Sequence, residues 1–377
     1  MTPPRIAVGL QIPGNPPLGM ARALVLLSRL YRLDSVLVPD HFQGLIPTAL
    51  WNRELTWAAA QFSDPHQSFD YQVLLGYLAA SAGRLRLGVD VTEPIRRHPI
   101  LIAQTMLTLA HATKRAPILG IGAGERENIQ PYGLDFSTPV GHLEEALQIL
   151  RMCFARSGKL TFRGKHYQLD EALMTLRPPK GRMPEMWIAG HGNRMLRLTG
   201  QYGDGWIPTH VASPEEYAAK LAIVRSAARD AGRDPNTIVP ALHQYVIVAP
   251  SDQEARALLN TKGARFSSLM FSTTEEWRKV GREHPLGAQF RGYVDFIPEQ
   301  YDRATLDAAI AAVPPELLGS GLIWGTPRQI AQKLRAYGEV GLRHVVLDLV
   351  SALASRRAAL YSVLALYRIA GLLRSGT

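Results

Sequence analysis

Short, almost unbroken apolar runs alternate with helix-patterned segments along most of this 377-residue chain. That alternation limits the accessible folds more than any other feature. Eight runs read as strands: residues 5–12, 35–38, 85–91, 117–121, 186–189, 205–208, 238–248 and 344–350. Between and after them, helical patterns cover 20–33, 71–82, 99–113, 140–154, 194–202, 213–231, 252–259, 326–337 and 356–373. Local chemistry supports the boundaries. Pro99 suits a first helical turn, Ser213-Pro214-Glu215-Glu216 supplies an N-cap, a proline and two acids, and Thr326-Pro327 opens a helix that Gly338 or Gly341 closes. Within 71–82, Val73, Leu74, Tyr77 and Leu78 share one stripe. Strands apolar on both faces belong in a parallel sheet covered by helices. The expected class is α/β, as a closed (β/α)8 TIM barrel; an open doubly wound sheet is the alternative.

Two stretches break the alternation. Residues 159–169 alternate with period two around Arg163-Gly164, as a small hairpin does. Residues 266–325 are long and irregular, with Trp277, His284-Pro285 and Gly287, and are expected to be an insertion or lid on a single domain spanning 1–377.

Composition narrows the function classes. With 46% apolar and 20% charged residues the chain reads as globular. Lys and Arg exceed Asp and Glu by 42 − 32 = 10, which favours anionic partners. The basic residues are scattered and form no nucleic-acid motif, so a phosphorylated cofactor or anionic lipid is expected before nucleic acid. Cys153, the only cysteine, lies among Met152 and Phe154 and reads as inert core, which leaves no disulfide framework and no thiolate cluster. The eleven histidines are dispersed with no metal-ligand spacing, so no metal is expected. No signal peptide or membrane-spanning run is read, and the cytoplasm is the expected compartment.

Polar groups after the strand runs point to the chemistry. Asp40-His41 follows 35–38, and Gly122-Ala123-Gly124-Glu125 follows 117–121. In a parallel barrel the C-terminal strand ends converge on one mouth, where active sites lie. Imidazole titrates near neutrality and can protonate an oxygen that gains charge. A carboxylate at a closed mouth can be a second acid or base. Gly190-His191-Gly192-Asn193 precedes a helix, where exposed amides bind phosphate; a plain turn is the competing reading. Arg96, Arg97 and His98 are either solvated loop charges or contacts for an acidic cofactor tail. The Gly120-x-Gly122-x-Gly124 spacing is not a dinucleotide fingerprint, and no nucleophile elbow or Walker loop is present.

Taken in order, Asp40-His41-Phe42, Gly122-Ala123-Gly124-Glu125 with Asn128, Trp187-Ile188-Ala189-Gly190-His191-Gly192, Gly203-Asp204-Gly205-Trp206 and Gly325-Thr326-Pro327 resemble the bacterial luciferase-like superfamily. The chain looks most like the branch that uses the deazaflavin coenzyme F420. Within it, Arg96-Arg97-His98-Pro99, Gly124-Glu125-Arg126-Glu127 with Pro131-Tyr132-Gly133, and Ala231-Gly232-Arg233-Asp234-Pro235 resemble the phthiodiolone ketoreductase type. The resemblance implies a TIM barrel that binds the deazaflavin at its C-terminal mouth. It implies that Asp40 contacts the cofactor, and that His41 lies over the reactive carbon. It further implies a non-proline cis peptide at Asp90-Val91 behind the ring, cofactor contacts from Ala123, Gly124 and Asn128, and a catalytic carboxylate at Glu125. His191 and Gly192 match a phosphate-binding turn, with His191 where relatives often have glycine. Leu45 and Ala212 stand where related sugar-phosphate dehydrogenases have Trp and a phosphate-binding Lys, so glucose 6-phosphate is not the expected substrate.

The expected function is hydride transfer between F420 and a carbonyl or alcohol, reducing a hydrophobic, lipid-like ketone. An FMN-dependent monooxygenase on the same barrel and a non-catalytic flavin- or deazaflavin-binding protein are the alternatives; the presence of both His41 and Glu125 argues against the last. Phe42, Leu45, Ile46, Trp51 and Trp57 make the loop after His41 apolar, either to meet substrate or to pack the loop. The helix at 356–373 is apolar and flanked by Arg356, Arg357, Arg368 and Arg374. It either closes the core, joins a second subunit of a homodimer, or rests on anionic lipid as a peripheral membrane contact.

Overall fold

The computed structural model describes residues 5–155 and 157–375. Among these residues eleven strands form: β1 (Ala7–Gln11), β2 (Ser35–Val38), β3 (Arg86–Thr92), β4 (Ile118–Ile121), β5 (Gly158–Arg163), β6 (Gln168–Met174), β7 (Glu185–Ile188), β8 (Gly205–Trp206), β9 (Val239–Val248), β10 (Leu322–Gly325) and β11 (His344–Asp348). Parallel pairing runs β1-β2-β3-β4-β7-β8-β9-β11, and β11 returns to β1 with Ala7 opposite His344. The closed eight-strand ring is the (β/α)8 barrel, built from the eight expected runs. β10 is an additional strand: Tyr245 of β9 pairs with Asp348 on one side and Leu322 on the other, so β10 continues the edge that β8 leaves. The hairpin is β5–β6, and Tyr167 beside its turn donates its hydroxyl to Pro94 O.

Among the described residues twelve α-helices complete the fold: α1 (Leu18–Leu30), α2 (Tyr71–Ala82), α3 (Pro99–Ala112), α4 (Pro139–Ala155), α5 (Asn193–Tyr202), α6 (Pro214–Asp230), α7 (Asp252–Leu259), α8 (Lys262–Phe271), α9 (Thr274–Lys279), α10 (Arg303–Ala312), α11 (Pro327–Glu339) and α12 (Arg356–Ser375). Their starts follow the capping chemistry read above. Ser213 accepts from Glu216 N, and Thr326 with Gln329 forms a reciprocal capping box. The stripe expected on α2 is rotated: Leu74, Leu75 and Leu78 are buried while Val73 and Tyr77 are exposed. An all-apolar helix gives periodicity little to choose between.

Alternation along each strand separates two apolar layers. Val36, Val38, Leu119, Ile121, Val345 and Leu347 face the helices. Leu37, Ile118, Trp187, Ile207, Ala241 and Val346 fill the barrel interior. The interior register continues upward from Ala241 to His243 and Tyr245, and from Val346 to Asp348. The top interior layer is therefore polar. Gly120 lets β3 and β4 approach: a Cβ there would lie 2.3 Å from Val89 O.

Residues 266–325 carry α8, α9, α10 and β10, while 280–302 hold only two short 3-10 turns, and the stretch packs around a separate core of Phe266, Leu269, Trp277, Phe290, Phe296 and Leu306. Short helices with mixed polar faces carried too little periodicity to read. This unit holds the loop after β2, since Glu299 accepts from Thr48 N at 2.7 Å and meets His66 at 2.9 Å. Trp51 donates to Phe62 O and Trp57 to Ala352 O, so both indoles anchor that loop.

Candidate active site

The loop leaving β2 carries Asp40 into a buried ionic network at the mouth. The Asp40 carboxylate accepts from Thr92 Oγ1 at 2.7 Å and from Arg97 Nη1 at 3.0 and 2.8 Å, and meets Arg96 Nη2 at 3.0 Å. Arg97 also reaches Asp70, the N-cap of α2, and Arg96 is held by Glu93. Arg97 and Arg96 are thus not solvated loop charges, and the buried Arg96 Nη1 has no partner among the described residues. Their side chains are 13% and 2% exposed and are occupied by Asp40, Asp70 and Glu93. His98 caps α3 through Nδ1. Three carboxylates and two guanidiniums compensate one another there, whereas a loop of such charges looks solvated in a linear sequence.

His41 follows, half-buried, and meets the polypeptide that leaves β4. Asn128 Oδ1 accepts from Phe42 N at 2.7 Å, which orients the amide. Its Nδ2 then donates to Glu127 Oε1 at 2.7 Å and to His41 Nδ1 at 2.7 Å. Because Nδ1 accepts, the neutral imidazole carries its proton on Nε2. Glu125 and Glu127 lie 3.8 and 3.6 Å from His41 Nδ1. Although 36% of the Glu125 side chain reaches solvent, the protein surrounding it at longer range and then the charge of Glu127 push its carboxyl up to about 8. Burial likewise pushes Glu127 up to about 7. Glu127 is fully buried, and its Oε2 has no partner among the described residues. The sequence reading did not single out Glu127, although its spacing from Glu125 places both acids in the same turn. His41, Glu125 and Glu127 each offer a ligand atom within 4.8 Å of the others. The His41 nitrogen nearest the acids is already used by Asn128.

The polar top layer of the barrel lies beneath this cluster. Asp90 Oδ2 and His243 Nδ1 are 2.8 Å apart and buried, and the Asp90–Val91 peptide is cis. Although burial works against it, Asp90 raises the His243 imidazole above its ordinary value. Burial raises Asp348 to about 6. A wall of rings joins β9 to the helical unit: Tyr245 lies 4.7 Å from His243 and 4.7 Å from Phe271, and Phe271 5.3 Å from Tyr293. His210 stacks on Tyr245 at 5.1 Å. None of these was a sequence-derived candidate except Asp90. The signal available was the inward period-two register of β9, which needs the strand's facing to be known.

Ala123 and Gly124 lie between β4 and Glu125. Gly124 has φ +91°, and a Cβ there would lie 2.6 Å from Ile129 Cδ1. His191 and Gly192 stand apart from the His41 cluster at the start of α5. Gly192 is its N-cap, no side chain caps the helix, and a Cβ on Gly192 would meet no atom within 4 Å. His191 has solvent access but is surrounded by protein at longer range; burial and then Lys220 push it down to about 4. Any anion there would be held by amides rather than by an imidazolium.

A closed parallel barrel with a histidine and two acids at its C-terminal mouth defines a candidate enzyme of the TIM-barrel class. The chain belongs to the luciferase-like monooxygenase family, whose model matches residues 54–344. It is 39% identical over 336 residues to the phthiodiolone/phenolphthiodiolone dimycocerosates ketoreductase of Mycobacterium tuberculosis H37Rv, covering 88% of each chain. It is 27% identical over 383 residues to the F420-dependent glucose-6-phosphate dehydrogenase of Nakamurella multipartita, covering both chains fully. Among solved structures, an F420-dependent secondary alcohol dehydrogenase in complex with an F420-acetone adduct superposes with TM-score 0.73 at 19% identity, over 98% of this chain and 100% of that one. An FMN-bound type II Baeyer-Villiger monooxygenase superposes with TM-score 0.65 at 16% identity, over 98% of each. Both show the shared fold.

Removing Asp40 leaves the buried Arg96 with Glu93 alone and Arg97 with Asp70 alone, and strips Thr92 of its acceptor. Asp40→Ala is expected to cost ~3–5 kcal/mol of folding stability, read by urea denaturation. A loss below ~1 kcal/mol would mean that the exposed-pair regime applies instead.

Proposed function

We propose that this protein is an F420-dependent oxidoreductase that transfers hydride between the deazaflavin and a carbonyl or alcohol, reducing a hydrophobic ketone. One observation carries the reading: Asn128 fixes His41 with Nδ1 accepting, which leaves Nε2–H as a proton donor at the mouth. The ketoreductase named among the relatives and the F420-dependent proteins above support the carbonyl and the cofactor.

The residues present fit such a cofactor. The uncapped start of α5 with open space before Gly192 suits a phosphate, and the glycines after β4 allow a flat ring to approach the backbone. Asp40, Ala123, Gly124, Asn128, His191 and Gly192 would hold it, with Asp90-Val91 behind the ring, and Asp40 also fixes the loop that presents His41. When bound, the deazaflavin supplies or accepts the hydride. His41 Nε2–H protonates the carbonyl oxygen as it gains charge. Glu125, protonated at neutral pH, holds a second proton beside the imidazole, and Glu127 keeps it there by disfavouring a second negative charge. Phe42, 44% exposed, is left to meet an apolar substrate, while Ile46 packs onto the helical unit.

We read residues 1–377 as one domain acting in the cytoplasm as a homodimer. Val73, Tyr77 and Leu101 on the outer faces of α2 and α3 support a second copy there. On α12, Ala365, Leu366, Ile369 and Ala370 close the core, while Leu360, Leu364 and Tyr367 are exposed among arginines. That outer face supports peripheral contact with anionic lipid. Sedimentation with anionic vesicles at low salt should carry protein into the pellet; protein wholly in the supernatant overturns the contact.

Separate titrations with F420 and FMN test the cofactor. F420 should bind more tightly, and FMN alone should support no turnover. His41→Ala should leave F420 binding intact and lower kcat by ~10²–10⁴-fold. Near-normal kcat would remove His41 from the proton transfer.

Glu125 sets the pH dependence. Its neutral form is lost as pH rises through about 8, so turnover should fall on that side. Glu127→Gln retains an acceptor for Asn128 and deletes the neighbouring charge. Glu125 then ionises more readily, and the falling limb should move to lower pH. An unmoved limb would separate the two acids.

A further inference from the structure

The N-terminal end of the barrel, opposite the mouth, holds a bowl of about 750 Å³. Strand-start residues Ala7, Trp187, Val239 and His344 line it, so it is centred on the barrel axis. Four separate turns direct cations into it. Arg29 and Arg32 come from the end of α1, Arg84 and Arg86 from the turn into β3, Lys114 and Arg115 from the turn into β4, and Arg343 from the turn into β11. One acid, Asp34, lines the same bowl, and it is already held by Arg5 at 3.1 Å and Val8 N at 2.9 Å.

The cations fall into two groups. Arg29 donates to Ser81 O, Arg86 pairs with Glu185 at 2.8 Å, and Arg343 donates to Gly338 O and Leu342 O. Those three are pinned to the wall. Arg32, Arg84, Lys114 and Arg115 are exposed, and their side chains make no hydrogen bond or ion pair among the described residues. Their mutual repulsion opposes folding unless an anion relieves it. The formal charge of the whole chain is +10, so seven cations against one acid concentrate much of that excess in one concavity.

We propose that this bowl is a binding site for a multivalent phosphate ligand. Convergent guanidinium groups match phosphate oxygens through paired N–H donors. The concavity favours a small soluble polyphosphate compound over a flat bilayer, whose headgroups would offer the same chemistry on a surface. The site is independent of the hydride-transfer reading, because it lies at the other end of the barrel from His41.

The test uses the full chain with inorganic tripolyphosphate, by calorimetric titration and thermal unfolding, and with phosphatidylglycerol vesicles by sedimentation. Tripolyphosphate should bind, raise Tm by several degrees at saturation, and weaken as salt increases. The triple variant Arg84→Glu, Lys114→Glu, Arg115→Glu should bind it at least ~10-fold more weakly, as loss of a charge-assisted contact worth ~1.4 kcal/mol would produce. A control triple, Arg22→Glu, Arg53→Glu, Arg328→Glu, changes net charge equally and should retain wild-type affinity. Turnover of the bowl variant should be unchanged, showing that it folds. Vesicle binding lost only in the bowl variant, without tripolyphosphate binding, would keep the phosphate site and assign it to lipid headgroups. Equal weakening in both triples, or tripolyphosphate binding unaffected by the bowl variant, would overturn the proposal.

Discussion

Closure of the parallel ring between β11 and β1 is the constraint on which the rest depends. Parallel strands leave every interior position facing the barrel axis, and only a closed ring pairs all of their backbone groups. Once Ala7 is set against His344, the C-terminal ends of strands far apart in sequence converge on one mouth. The interior then has to change character along its axis. Leu37, Ile118 and Val346 pack its middle, while Asp90, His243 and Asp348 occupy its top. Asp90 and His243 are tolerable there because they pair with each other beneath an opening.

The Asp40 network connects this frame to the chemistry. His41 is reached through a loop with no regular backbone pairing of its own. Its position is set by the pairing of Asp40 with Arg96 and Arg97 on one side and by the Asn128 bond on the other. Those contacts belong to the loops after β2, β3 and β4. The tautomer of His41 is thus a consequence of how three strand ends meet, and the weakened acidity of Glu125 and Glu127 follows from the same convergence.

The two ends of the barrel treat charge in opposite ways. At the mouth, cations and carboxylates are interleaved, with Arg96 and Arg97 each paired to two acids. At the base, the turns into β3 and β4 carry Arg84, Lys114 and Arg115 with no acid to meet them. Both clusters look alike in the linear chain, as arginines beside strand boundaries.

The alternation of apolar runs and helical patterns, legible without a structure, identified eight strands and the barrel, because burial on both faces of a parallel strand imposes its composition locally. Capping at Ser213 and Thr326 was legible for the same reason: the donors and acceptors lie within one turn. His41 and Glu125 were legible as polar residues just past such runs. Glu127, the Asp90–His243 pair and the helical unit within 266–325 were not. Asp90 and His243 are 153 residues apart, and Asp40 and Arg97 are 57 apart. Whether a charge at such a position is solvated, paired or aimed at a ligand depends on which other strand ends stand beside it. Sequence determined the elements and their order through short-range periodicity and capping. Only the tertiary structure decided which charges meet, because ring closure brings together residues that share no local pattern.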